Sequence, residues 1–82
     1  MKLADSIRQF AIEQHIALAR ARGDATIWIR GGDIHSAMEL RARLPAVCAA
    51  LGANKFEQLA GVKRMAMEGP ANGANTRFQY RL

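Results

Sequence analysis

From Leu3 to Leu18, the apolar residues Leu3, Ile7, Phe10, Ala11 and Leu18 recur on one face at the helical period. No glycine or proline interrupts residues 5 to 21, which are rich in alanine, leucine, arginine and glutamine, so the pattern predicts a helix over Asp5 to Ala21 that Gly23 stops. Ile12, Ile16 and Ala19 carry the apolar arc past that face, wider than a core-facing stripe requires. Two readings explain the excess: burial by the sheet and the other helices, or a homodimer contact through Ile12, Ile16 and Ala19. The pattern then changes period. Ala25 to Arg30, ATIWIR, alternates and is β-branched and aromatic, which predicts a short strand with Ile27 and Ile29 inward. Trp28 shares the other face with Thr26 and Arg30, as a packing residue or as a stacking surface for a partner.

Helical spacing returns after Gly31-Gly32, which reads as a strand-to-helix corner because the lysine and full glycine signature of a phosphate loop are absent. Asp33 is placed to cap a short helix over Ile34 to Leu40. Leu40 to Arg43 make a turn, and Pro45 falls in the first turn of the next helix, where its missing amide leaves no bond unmade. Leu44, Val47, Cys48 and Leu51 face back onto Ile34, Ala37 and Met38, and two short helices joined this way form a helix-turn-helix unit. Asn54 and Glu57 have the spacing of a capping box, predicting a further helical turn through Leu59 and Ala60 that ends at Gly61, with Phe56 and Leu59 in the core. Val62 to Glu68 and Thr76 to Leu82 are strands around GPANGAN, a segment with the composition of a long hairpin tip. Thr76, Phe78, Tyr80 and Leu82 alternate with Arg77, Gln79 and Arg81, and Met65 and Met67 match the apolar face across the hairpin. The seven-residue tip is long enough to suggest a use.

Eighty-two residues correspond to one small domain with one core, 1–82. A single cysteine excludes an internal disulfide, and the start of the chain reads as neither signal peptide nor membrane span, so the expected compartment is the cytoplasm. Charge changes the picture most. The net charge is +5, and residues 1 to 40 sum to zero; Arg41, Arg43, Lys55, Lys63, Arg64, Arg77 and Arg81 against Glu57 and Glu68 place all of it in the second half. A localised positive charge predicts an acidic partner.

The order helix, strand, helix, turn, helix, strand, long loop, strand resembles the winged helix-turn-helix superfamily over nearly the whole chain, the lone strand Ala25 to Arg30 being the distinctive part. The resemblance implies an α+β winged helix-turn-helix fold: a three-helix core, a small antiparallel sheet and a β-hairpin wing. It also implies duplex DNA as partner, with the second helix of the unit in the major groove and the wing on the backbone or minor groove. By position, Arg41, Arg43, Pro45, Ala46, Ala49, Ala50, Ala53, Asn54 and Lys55 are then the groove-side set, and Asn72, Asn75 and Arg77 the wing contacts. The residue chemistry agrees in part. Arg41 and Arg43 suit phosphate or guanine, Asn54 suits adenine, and Lys55, Lys63 and Arg64 suit phosphate. The outward side of that helix is mostly alanine and glycine, however, and the wing tip has asparagines but no cation, so DNA binding is better founded than sequence readout.

No nucleophile stands in a recognisable motif and no carboxylate pair is placed to share a site, so no enzyme is expected. His35 and Glu39 lie one helical turn apart with Cys48 as a conceivable third ligand, but the fourth ligand of a structural zinc site is missing, and no metal or cofactor is expected. His15 reads as a core-edge residue. The expected function is a small DNA-binding protein, a transcriptional regulator or DNA-associated module. The alternatives are a winged-helix protein-interaction or assembly module using the alanine-rich helix face, and a basic component of a larger nucleoprotein or restriction assembly.

Overall fold

A computed structural model describes residues 2–82. Among the described residues the chain is α+β, with four helices packed on one side of a three-stranded antiparallel sheet, a layout compatible with a winged-helix arrangement. Helix α1 runs as α-helix over Leu3–Ala11, as a π-helical turn over Ile12–Ile16 and as α-helix again over Ala17–Arg22. It ends as expected at Gly23, φ 80°, where the amides of Gly23 and Asp24 close onto the carbonyls of Arg20 and Ala19 in a Schellman motif.

The π turn corrects the reading of the first apolar arc. It inserts one residue into the frame, so the buried positions step from Ala11 to Ile16 and then to Ala19. Leu18, predicted on the inward face, is turned outward and is 50% exposed. Ile16 and Ala19 are wholly buried in the chain's own core, and Ile12 packs against that core. This fold buries two of the three residues assigned above to a homodimer contact, Ile16 and Ala19, and leaves Ile12 partly exposed.

Strand β1, Thr26–Arg30, leads directly into α2, Gly31–Ala37, with Arg30 as the N-cap residue and no side-chain cap. Asp33 therefore lies inside the helix and not at its cap. It pairs with Arg30 at 2.8 Å. The helix also starts and ends three residues earlier than predicted, so the link to α3, Leu44–Gly52, is longer and contains Glu39 and Ala42 at φ 56° and 52°. Side chains in this left-handed region carry a steric cost, offset by the bonds that fix the turn. Among those bonds, the Arg43 amide donates to His35 Nε2 at 3.3 Å.

Helix α4, Asn54–Ala60, forms where expected, but Asn54 makes no cap; Glu57 instead accepts from the Arg64 amide at 2.6 Å, tying α4 to the next strand. Strands β2, Lys63–Glu68, and β3, Arg77–Arg81, form the hairpin, and the sheet order is β1-β3-β2. Phe78 and Tyr80 are buried as the alternation requires, with Phe56 set edge-on to Tyr80 at 5.1 Å. A register irregularity between Arg64 and Ala66 sets Met65 aside on the edge strand, and Met65 and Met67 are more than half exposed, against the expectation that they complete the apolar face.

His15, in the π turn, titrates below its ordinary value of 6.5 because burial disfavours its charge, with Asp33 opposing that effect. The depressed value fixes the sign of a pH effect. Both states are neutral at this site well above pH 6.5; as pH falls through 6.5 the unfolded chain binds the proton first and stability is lost. His15→Gln is expected to lose less melting temperature than the parent between pH 7.5 and 5.5, read by circular dichroism. Equal losses in the two proteins would contradict this account of His15.

Candidate nucleic-acid interface

The first helical turn of α2 receives the hairpin loop. Its amides need acceptors, and with no side-chain cap they take loop carbonyls: Gly31 N donates to Thr76 O at 2.8 Å and Gly32 N to Ala74 O at 2.9 Å. Both glycines are buried. A Cβ on Gly32 would stand 2.7 Å from the Ala74 carbonyl oxygen, so glycine at this position is what lets the loop backbone approach. Thr76 closes the loop internally, accepting from Gly73 N at 2.9 Å and donating to Pro70 O. Asn75 accepts from Arg30 Nη2 at 3.0 Å, while the same guanidinium holds Asp33. The hairpin tip is thus fastened against α2, and Asn72, φ 56°, is left exposed at its outer end.

Helix α3 is clamped at its other end. Its last carbonyls each receive a donor from a different element: Ala50 O from Arg8 Nε at 3.1 Å, Leu51 O from the Tyr80 hydroxyl at 2.6 Å, and Gly52 O from Arg64 Nη1 at 2.9 Å. Two of the three donors are cationic, as the negative end of the helix favours. Burial pushes the Tyr80 hydroxyl far up, which keeps it a donor. These contacts tie the end of α3 to α1, β3 and β2.

The residues proposed from sequence do not form one surface. Arg41, Arg43 and Ala49 are exposed and Ala46 is partly so, forming the turn and outer side of α3. Neither arginine is in an ion pair among the described residues. Asn54 and Lys55 are exposed at the start of α4, with the Lys55 ammonium 3.4 Å from Asp5 of α1, which also pairs with Arg8. Ala50 is buried and leaves the groove-side set, because it lies on the same side of α3 as Val47 and Leu51. Arg64 serves as a cap on α3. Lys63 and Arg77 belong to the sheet face turned away from the helices, where Arg77 pairs with Glu68 and lies over the Trp28 ring at 4.6 Å from its centroid. Asn72 and Asn75 are in the loop, and Asn75 is engaged by Arg30.

Several positioning residues escape sequence reading. Arg8, Arg30 and Tyr80 act on partners more than 25 positions away, and no local pattern marks them. The glycine pair was a usable signal, since adjacent glycines at a helix start imply close backbone approach. Cys48 lies buried with its Sγ 3.7 Å from the Gly73 carbonyl, and burial pushes its thiol up despite an opposing effect of Thr76. Among the described residues no three His, Cys, Asp or Glu side chains gather to hold a metal, and no helix is long and apolar enough to cross a membrane. Comparison with protein-family models, curated proteins and solved structures finds no match to this chain.

Proposed function

We propose that this chain is a small winged-helix module that binds duplex DNA through the α2–α3 turn and the outer side of α3. The observation that carries this reading is the pair Arg41 and Arg43: both are exposed, without a carboxylate partner among the described residues, and adjacent to a helix whose outer side offers only small residues. Ala46 and Ala49 let the helix approach a groove closely and offer methyl contacts, while the guanidiniums supply phosphate or guanine contacts. The β1-β3-β2 order and the hairpin suit a winged-helix reading. With few donors on α3, affinity comes mainly from the backbone, and discrimination between sequences is modest.

Arg41→Ala/Arg43→Ala is expected to weaken binding to a labelled duplex by tenfold or more in fluorescence anisotropy at low salt, with the melting temperature unchanged. Unaltered affinity removes this surface from the account.

A second reading, a protein-interaction module, has its own support. A cleft of about 310 Å³ lined by Asp5, Gln9, Lys55 and Leu59 opens between α1 and α4, and Leu59 is 56% exposed where the sequence predicts it in the core. Salt separates the two readings, because phosphate contacts weaken steeply as counterions accumulate and an apolar contact does not.

A further inference from the structure

The face of the sheet turned away from the helices carries a second basic surface. Thr26, Trp28 and Arg30 of β1 stand opposite Arg81, Gln79 and Arg77 of β3. Beyond β3, Lys63 of β2 stands opposite Arg81 and Glu68 opposite Arg77. Residues directly opposed across an antiparallel pair share a face, and the intervening Ile29, Phe78 and Tyr80 are the buried ones. This face therefore holds Arg30, Lys63, Arg77 and Arg81 against the single carboxylate of Glu68.

The charges are not equivalent. Arg30 is held by Asp33 and Asn75, and Arg77 by Glu68. Lys63 and Arg81 are exposed, oppose each other directly, and have no ion pair among the described residues. Like charges so placed destabilise a sheet unless an anion lies between them. Two residues along β3, about 7 Å away, comes the row of Gln79 and Trp28; Trp28 is 37% exposed and in contact with the Arg77 guanidinium.

We propose that this face binds single-stranded nucleic acid, with phosphates at Lys63 and Arg81 and an unpaired base stacked at Trp28 and Arg77. Phosphate charge answers the uncompensated cations. The aromatic-guanidinium pair selects the single strand, since a stacking platform requires a base whose face is free, and a duplex keeps its base faces covered. This surface shares no residue with the Arg41 and Arg43 surface, so either stands if the other fails.

Trp28 is the only tryptophan of the chain, so its fluorescence reports this face alone. Titration with oligothymidylate at low salt is expected to quench it. Lys63→Gln/Arg81→Gln should lower the slope of log affinity against log salt by about 1.4, as expected for two single-strand phosphate contacts. That variant removes a repulsive pair, so it is expected to fold. By anisotropy of labelled oligonucleotide, Trp28→Ala should lose roughly tenfold in affinity and Trp28→Phe should recover most of it. Three results would overturn the proposal: no quenching at low salt, binding unaffected by Lys63→Gln/Arg81→Gln, or a duplex of equal length binding through Lys63 and Arg81 as tightly as the single strand.

Discussion

Replacing Gly32 with alanine is expected to remove about 2–3 kcal/mol of stability, a large share of what a domain this small possesses. By helix propensity alone the change should be favourable, since alanine is preferred to glycine within a helix by about 1 kcal/mol. Packing reverses the sign. The new methyl would sit 2.7 Å from the Ala74 carbonyl oxygen and 3.1 Å from its Cβ. The first of these is backbone that already accepts the Gly32 amide, so the loop cannot yield without losing that bond. The melting temperature should fall by roughly 10–20 °C. Gly31→Ala is the internal control: its closest neighbour is the Cys48 Sγ at 3.2 Å, a side-chain atom, and its loss should be clearly smaller. Equal effects at the two positions would mean that the loop is not fastened to α2 as described.

The second large effect is expected from Tyr80→Phe. It keeps the ring edge-on to Phe56 and stacked on Phe78 but deletes the hydroxyl that donates to Leu51 O at 2.6 Å. Burial around Tyr80 leaves that carbonyl without water as a substitute, so the cost is that of an unsatisfied buried acceptor, about 1–3 kcal/mol. The loss is localised at the end of α3. Hydrogen exchange should therefore show its last turn opening more readily, beyond a uniform decrease across the chain. Wild-type stability in the variant would contradict the clamp.

The elements were largely legible because each is announced by local chemistry. The π turn of α1 was not: a search at a constant helical period carries the frame from Ala11 to Leu18, whereas the chain steps to Ile16 and Ala19. That single inserted residue turned a well-buried helix into an apparent dimer surface. Asp33 and Asn54 were misread as caps for a related reason. Capping chemistry is specific about residue type, but it competes with tertiary partners, and here loop carbonyls and Arg30 prevail at α2 while no side chain caps α4. The candidate site was legible only in part. Arg41 and Arg43 could be picked out by charge and position. The sequence could not separate Arg64, which reaches inward to cap α3, from Lys63, which lies on the opposite face, because alternation gives two faces and only the packed chain says which is covered.

The central claim, a duplex-binding surface at the α2–α3 turn, is tested most directly by the salt dependence of duplex affinity in the parent and in Arg41→Ala/Arg43→Ala. Each phosphate contact contributes about 0.9 to the slope of log affinity against log salt. The parent is expected to show a steep slope and the variant one shallower by about 1.8, with both proteins melting at the same temperature. A parent that binds no duplex at low salt, or a slope indifferent to both arginines, would contradict the assignment of this surface to DNA.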